Sequence, residues 1–254
     1  MRARLIAGNW KLNTTRDEAV ALARAVSEAV AEAVASGVRV AVCPPFVSVD
    51  AVAQALLGTG VAVGAQDVSA HECGAHTGEV SAAMLASVGA AYVLVGHSER
   101  RADHGEDDAL VAAKLGRALA AGLMPVLCVG ETLGERRAGR EAAVVSAQLV
   151  GALAGVSAGG AARVVVAYEP VWAIGTGETA SPEQAQSMHA HIRTCLGEAF
   201  GPDLAAAATI LYGGSMTAAT AADLLACADI DGGLVGGASL KPADFAAIAR
   251  AAMR

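Results

Sequence analysis

The feature that most constrains the fold is a regular alternation of short apolar segments with longer, alanine-rich segments of helical periodicity. Eight apolar segments predict β-strands, at residues 4–8, 38–42, 61–65, 91–95, 124–129, 163–168, 208–212 and 231–235. Eight amphipathic windows predict helices, at residues 16–35, 48–56, 81–88, 107–121, 141–153, 182–199, 218–226 and 243–252. Such a series predicts an α/β protein with a parallel sheet. Because no proline- or serine-rich linker interrupts it, we expect residues 1–254 to form a single domain.

Composition restricts the classes to which the chain can belong. Hydrophobic residues make up 54% of the 254 residues and charged residues 17%, so a large core is expected and disorder is not. The net charge of −7, without a basic run, argues against a nucleic-acid partner, and no apolar segment is long enough to suggest a membrane span. Five widely spread cysteines and no apparent signal peptide predict free thiols and a cytoplasmic location: Cys43, Cys73, Cys128, Cys195 and Cys227.

Eight parallel strands can form an open, doubly wound sheet or a closed barrel, and the residues at the strand ends distinguish the two. An open sheet is expected to carry a glycine-rich dinucleotide-binding turn after an early strand, but the first strand here runs into Gly8-Asn9-Trp10-Lys11. Polar residues or glycines instead follow seven of the strands: Asn9 and Lys11, Gln66 and Asp67, His97 and Glu99, Gly130 and Glu131, Glu169, Gly213-Gly214-Ser215, and Gly236-Gly237. In a barrel all these ends meet at one face, where active sites lie. The sequence therefore predicts a single-domain (β/α)8 barrel.

The segment after the sixth strand predicts a catalytic base beneath a closing flap. Glu169 is expected at the strand end, where Pro170 stops the strand because it lacks an N–H. The next residues form a mostly apolar segment that ends in a Gly-x-Gly turn: Val171, Trp172, Ala173, Ile174, Gly175, Thr176 and Gly177. Cover from Ile174 and Leu234 is expected to raise the pKa of the Glu169 carboxyl group. The alternative is a surface loop with a solvated glutamate, but exposed loops rarely carry Trp and Ile beside such a turn.

Further candidates on the same face suit the removal of a proton next to a carbonyl group. His97 is the candidate electrophile or proton shuttle, although an isolated histidine is more often a buried structural residue. Lys11 supplies positive charge where an enediolate develops, and Asn9 supplies a further donor. Backbone N–H groups for a phosphate are expected from three glycine-containing loops, at Gly175 and Thr176, at Ser215, and at Gly236 and Gly237. Each glycine pair alone is an ordinary turn, and Ala238 stands where a nucleotide-binding P-loop needs lysine.

Six motifs together resemble the triosephosphate isomerase family in order and spacing over essentially the whole chain. They are Gly8-Asn9-Trp10-Lys11-Leu12-Asn13, Gly96-His97-Ser98-Glu99-Arg100-Arg101, Cys128-Val129-Gly130-Glu131-Thr132, the segment from Tyr168 to Gly177, Tyr212-Gly213-Gly214-Ser215, and Leu234-Val235-Gly236-Gly237-Ala238-Ser239. The resemblance implies a TIM barrel that interconverts D-glyceraldehyde 3-phosphate and dihydroxyacetone phosphate in glycolysis and gluconeogenesis, without cofactor or metal. The alternatives are a barrel acting on another phosphorylated intermediate and a barrel that has lost activity.

The resemblance also implies a role for each matching residue. Glu169 would be the base, His97 a neutral electrophile, and Lys11 and Asn9 the groups that stabilise the enediolate. Glu99 would orient the lysine and shuttle protons. Four residues would hold the phosphate: Gly175, Ser215, Gly236 and Gly237. The flap would hinge at Pro170-Val171-Trp172 and at Glu178-Thr179-Ala180.

The loop of residues 66–80 resembles the family segment that reaches into a partner subunit, which implies a homodimer. Thr77 would make the deep contact, and His76 replaces a usual Phe or Tyr, so the interface is expected to be weaker or sensitive to pH. The spacing His71-Glu72-Cys73…His76 also suggests a metal cluster. Because such spacing in a polar loop is a weak signal, we expect no metal there.

Overall fold

A closed barrel of eight parallel strands forms the centre of the molecule in a computed structural model that describes residues 2–174 and 179–253. The strands, numbered β1 to β8, are Leu5–Asn9, Arg39–Cys43, Val61–Ala65, Tyr92–Val95, Met124–Val129, Val165–Tyr168, Ile210–Tyr212 and Gly232–Val235. Each strand pairs with the next in sequence, and β1 closes the barrel by pairing with β8, where Leu5 lies opposite Gly232. The prediction of a barrel rather than an open sheet is confirmed.

Helices surround the barrel, and several were not predicted. The helices α1 to α13 are Arg16–Ala29, Ala31–Ala35, Val49–Ala55, Ala82–Ser87, Ser98–His104, Asp108–Ala120, Leu133–Arg137, Glu141–Ala152, Ala158–Ala161, Pro182–Phe200, Pro202–Ala207, Ala221–Ala226 and Pro242–Ala251. The predicted helix 16–35 is wrong as one element, because the backbone leaves helical geometry at Val30 and divides it into α1 and α2. The helices missed by prediction are α5, α7, α9 and α11, of four to seven residues. These four segments are short and lack a sustained apolar period in the sequence.

Successive side chains of each strand point alternately into two apolar layers. One set fills the barrel interior and includes Leu5, Leu94 and Leu211, whereas neighbours such as Ile6 and Val95 pack outward against the helices. This arrangement buries the strands on both faces, as their uninterrupted apolar sequences predict. The carboxyl ends of the strands form one rim of the barrel, and the polar residues lie at that rim. No helix in the described part of the chain is long and apolar enough to cross a membrane.

Candidate active site

Glu169 follows β6 directly, as predicted, and its backbone is held against the preceding strand. The Glu169 N–H donates to the Val129 carbonyl at 2.8 Å. A Cβ atom at Gly130 would lie 1.7 Å from the Glu169 carbonyl oxygen, so only glycine permits this approach. The side chain is 2% exposed. The candidate base is therefore fixed in place by β5 as well as by its own strand.

The Glu169 carboxylate is paired in this conformation. Its Oε1 lies 2.9 Å from His97 Nε2, and its Oε2 accepts a hydrogen bond of 2.9 Å from the Ser98 N–H. Burial alone raises the pKa of Glu169, but the contacts with His97 and the Ser98 N–H outweigh it and lower the pKa below its ordinary value. The expectation of a raised pKa is therefore wrong for this conformation, because the carboxylate has partners and not only apolar cover.

His97 is oriented by the turn that leads out of β4. Gly96 has φ +68, a left-handed conformation, and His97 then forms the N-cap of α5. The Glu99 N–H donates to His97 Nδ1 at 3.2 Å, so Nδ1 carries a lone pair and Nε2 carries the proton that faces Glu169. Burial lowers the pKa of His97, but attraction to the carboxylates of Glu169 and Glu99 outweighs it and raises the pKa above its ordinary value.

Lys11 is held in an uncommon backbone conformation by neighbours on three elements. Its φ is +52, which is rare for a residue other than glycine and is typical of functional sites. The Lys11 N–H donates to Asn9 Oδ1 at 3.0 Å, and Gln66 Nε2 donates to the Lys11 carbonyl at 2.9 Å. The Lys11 ammonium lies 2.5 Å from Glu99 Oε1. Because the Asn9 oxygen is engaged, its amide nitrogen remains as the donor for a ligand.

A cavity of about 290 Å³ brings most of the predicted residues together. Nine predicted residues line it: Asn9, Lys11, His97, Glu169, Ile174, Ser215, Leu234, Gly236 and Gly237. Glu99 does not line the cavity but contacts Lys11. Gly175, Thr176, Gly177 and Glu178 lie outside the described residues. The carboxylate, imidazole, ammonium and glycine-rich loops thus share one space, which can hold a small anionic substrate against a base.

The start of the predicted flap turns away from this cavity. Residues Val171–Ala173 form a short 3-10 helix after Pro170. Trp172 Nε1 donates to Glu131 Oε1 at 2.8 Å, and the Arg136 guanidinium lies 4.9 Å from the centre of the indole ring. Pro170, Val171, Trp172 and Ala173 do not line the cavity. Among the flap residues that the structure describes, Ile174 is the one that lines the cavity.

Comparison with known proteins agrees with this geometry. The sequence profile described as triosephosphate isomerase matches residues 4–252. The chain belongs to the triosephosphate isomerase family. A protein of that name from Thiobacillus denitrificans is 54% identical over 254 residues, covering 100% of both chains. Others from Paracidovorax citrulli and Stenotrophomonas maltophilia are 55% and 53% identical, each over 99% of both chains. The chain is accordingly an isomerase.

The structure of this triosephosphate isomerase family member places further residues at the site that the sequence did not predict. The Ser98 contact to Glu169 uses the backbone N–H, so no side chain could have signalled it. Gln66 is predicted as a polar residue at a strand end and at the start of the loop of residues 66–80, but its support of the Lys11 backbone is not. Met216 and Thr217 also line the cavity, in the loop after β7 that carries Ser215. Thr77 lies elsewhere, exposed in the loop of residues 66–80.

Proposed function

We propose that this isomerase interconverts D-glyceraldehyde 3-phosphate and dihydroxyacetone phosphate by proton transfer through an enediolate. The observation that carries the proposal is that Glu169, His97 and Lys11 line one cavity with the glycine-containing loops at Ser215 and Gly236. The carboxylate removes a carbon-bound proton, and the two nitrogen donors stabilise the negative oxygen that forms. The reaction moves a proton within one molecule, so it is balanced without a cofactor or metal.

Substrate binding must first release Glu169 from its partners. When the carboxylate leaves His97 and the Ser98 N–H, it loses the contacts that lower its pKa, and burial then raises its basicity. The His97 Nε2–H is freed at the same time to donate to a substrate oxygen. Loss of the nearby carboxylate also removes the main attraction that raises the His97 pKa, which favours the neutral ring. Base and electrophile are thus activated by one movement.

The remaining groups position the substrate. Asn9 and Lys11 donate to the developing enediolate, and Glu99 holds the lysine and exchanges protons. Ser215, Gly236, Gly237 and Gly175 hold the phosphate through N–H groups, as the loops after the last strands do in such barrels. Closure of the flap over Ile174 and Leu234 then excludes water from the enediolate.

We further propose a homodimer joined through the loop of residues 66–80. A cavity of about 330 Å³ beside this loop is lined by Phe46 and Glu79 and offers space for a loop tip of a second copy. Leu12, next to Lys11, is 97% exposed, as expected for a residue that a partner covers. Gln66 links this loop to the Lys11 backbone, so assembly supports the site. The free cysteines and the acidic charge suit a cytoplasmic enzyme of glycolysis and gluconeogenesis.

The test is isomerase activity on glyceraldehyde 3-phosphate in the presence of EDTA, measured for wild type, Glu169→Gln and Glu28→Gln. Glu169→Gln retains size but cannot accept the proton, so we expect kcat to fall by at least about 1,000-fold. Glu28 is exposed on α1, and its variant serves as the matched control with unchanged activity.

Two results would contradict the proposal. If the folded, dimeric wild-type protein has no activity on either triose phosphate, the proposed substrates are excluded. Equal activity of Glu169→Gln and wild type would remove Glu169 as the base while leaving the substrate assignment intact.

A further inference from the structure

A glutamine on α8 is joined to the backbone just after β5. The Gly130 N–H donates to Gln148 Oε1 at 2.7 Å, and Gln148 Nε2 donates to the Gly130 carbonyl at 3.1 Å. One planar amide thus pairs with both polar backbone groups of Gly130, as a neighbouring strand would. Gln148 does not line the catalytic cavity, so it has no direct contact with the space for a substrate.

Gly130 needs these partners because it lies just beyond the paired part of β5. Pairing between β5 and β6 ends where Val129 lies opposite Tyr168, so the next residue leaves the ladder of strand hydrogen bonds. Backbone groups away from water that leave such a ladder must be paired in another way. A gap of about 260 Å³ adjoins this turn and is lined by Gly130, Gln148 and Glu169 among others. Because packing beside Gly130 is incomplete, the two hydrogen bonds determine where its backbone lies.

The position of Gly130 in turn limits the position of Glu169. The two backbones are in close contact, since a Cβ atom added to Gly130 would lie 1.7 Å from the Glu169 carbonyl oxygen and 3.2 Å from its Cα atom. One residue earlier, the Val129 carbonyl accepts from the Glu169 N–H at 2.8 Å. Val129 and Gly130 therefore form a wall along the Glu169 backbone. If Gly130 moves away, that wall is lost, and the carboxylate is no longer held at a fixed distance from His97.

We propose that Gln148 is a positioning residue that holds Gly130 and thereby fixes the Glu169 carboxylate. Because Glu169 is the proposed base, this role of Gln148 rests on the proposed function and deepens it. Gln148 acts on the placement of the base and not on substrate binding, since it lies outside the catalytic cavity. Displacement of a reacting group by about 1 Å can cost about 100-fold in rate, so even a small movement of Gly130 has a measurable effect.

The experiment compares Gln148→Met with wild type in steady-state kinetics on glyceraldehyde 3-phosphate. Methionine has a similar length but lacks the amide donor and acceptor, so both hydrogen bonds to Gly130 are lost. We expect kcat to fall by at least about tenfold and KM to change by less than about twofold. If Gln148→Met does not fold, Gln148→Glu takes its place with the same expected direction, because it keeps the acceptor for the Gly130 N–H and lacks the donor.

Gln186→Met is the matched control for a loss of stability. Gln186, on α10, also pairs its amide with one residue: Gln186 Nε2 donates to Asp229 Oδ2 at 2.6 Å, and the Asp229 N–H donates to Gln186 Oε1 at 3.0 Å. Asp229 precedes β8, at the end of the barrel opposite the catalytic rim. Each variant removes the hydrogen bonds of a half-buried glutamine, so both should lose stability, but Gln186→Met should keep the wild-type kcat. Equal losses of kcat in Gln186→Met and Gln148→Met would overturn the inference.

Two further measurements report on Glu169 itself. In the Glu169→Gln background the base is already absent, so Gln148→Met should lower the residual kcat by less than about twofold. Titration of His97 by NMR needs no substrate. Burial lowers the His97 pKa and the Glu169 carboxylate raises it above its ordinary value, so displacement of that carboxylate in Gln148→Met should lower it. Glu99 and Lys11, which also act on this pKa, lie on other elements and are the same in both proteins.

The outcomes distinguish this inference from the proposed function. Wild-type protein without isomerase activity would contradict the proposed function, and the His97 titration would still decide whether Gln148 holds the carboxylate. With an active wild type, unchanged kcat in folded Gln148→Met would overturn the inference and leave Glu169 as the base. An undiminished further loss of kcat in the Glu169→Gln background would also overturn it, because Gln148 would then act by another route.

Discussion

His189, on α10, is fully buried beneath the aromatic side chains that end two strands. Its ring packs edge-on against Tyr168 with centres 5.6 Å apart, and its Nδ1 lies 2.7 Å from the Ala185 carbonyl oxygen. Burial lowers the pKa of His189 from 6.5 to about 4, despite that hydrogen bond. The folded protein therefore keeps this ring neutral at a pH where the unfolded chain protonates it. Stability from this group is complete above the unfolded pKa and is lost as the pH falls towards about 4.

This difference predicts a pH dependence that one substitution removes. Between about pH 7 and about pH 5, His189 is expected to reduce the free energy of unfolding by about 2 kcal/mol. His189→Asn keeps a donor for the Ala185 carbonyl but does not titrate, so its stability should fall less over the same interval. Denaturant unfolding at fixed protein concentration and several pH values measures both slopes. Parallel slopes for the two proteins would show that the histidine does not titrate as the structure requires.

At the level of single residues, sequence reasoning placed the candidate catalytic groups at the strand ends but did not predict their state of ionisation. The position of Glu169 at the end of β6 could be predicted, because the apolar strand and the following Pro170 are local sequence features. The pairing of its carboxylate with His97 and the Ser98 N–H depends on where β4 and β6 lie in the barrel. The prediction used only the apolar residues Ile174 and Leu234, and so the direction of the pKa shift was wrong.

Among the elements, the predicted flap hinge at Pro170-Val171-Trp172 has an anchor in the loop after β5. Glu131 is fully buried, and its carboxylate accepts hydrogen bonds from Tyr168 and Trp172 and lies 2.9 Å from the Arg136 guanidinium. The Glu131 carbonyl also accepts from the Val171 N–H at 3.1 Å. One residue thus ties the first turn of the predicted flap to the ends of β5 and β6.

Removal of the charge from this anchor is expected to weaken it. Glu131→Gln retains the shape but leaves Arg136 without its counter-charge and presents an amide to donors, which should cost about 1–3 kcal/mol of stability. The loss of a fixed hinge should also reduce kcat/KM by about tenfold. Glu135→Gln, which changes a half-buried helix-capping carboxylate close by, is the matched control, with an expected loss under about 1 kcal/mol. Denaturant unfolding and steady-state kinetics measure both effects, and equal results for the two variants would contradict the anchor.

The elements themselves were predictable where the sequence repeats a strong pattern. Each barrel strand lies in a mostly apolar segment, and these segments recur along the whole chain. Helix α5 was not predicted, because Ser98–His104 is polar and has no buried residue. From the sequence, Glu131 is a residue after the fifth strand and part of a family motif, with no role assigned to it. Its role depends on the pairing of Val129 with Tyr168, which appears only when the barrel closes.

On the scale of the whole molecule, the exposed surface near the site is more apolar than a solitary chain requires. Leu12 and Val47 are 97% and 81% exposed, and each is adjacent in sequence to a residue that lines one of the two cavities. Burial of such side chains against a second copy gains free energy at about 25 cal/mol per Å² of apolar area. The loop of residues 66–80 supports Lys11 through Gln66, so this contact would connect the proposed assembly with the proposed catalytic site. A second copy is expected from the family resemblance alone, because no single-chain pattern encodes an interface.

Thr77 tests that connection, because it lies exposed in the loop that we propose inserts into the partner. Thr77→Arg adds a charge that would be buried without a partner, so the dimer is expected to dissociate to monomers. Lys11 would then lose part of its support, and kcat/KM should fall by at least about 100-fold. Thr194→Arg makes the same change at an exposed position on α10 and should remain dimeric and active. Light scattering and activity are measured on the same samples. A Thr77→Arg monomer with full activity would separate assembly from catalysis, whereas an intact Thr77→Arg dimer would place the interface on another face of the barrel.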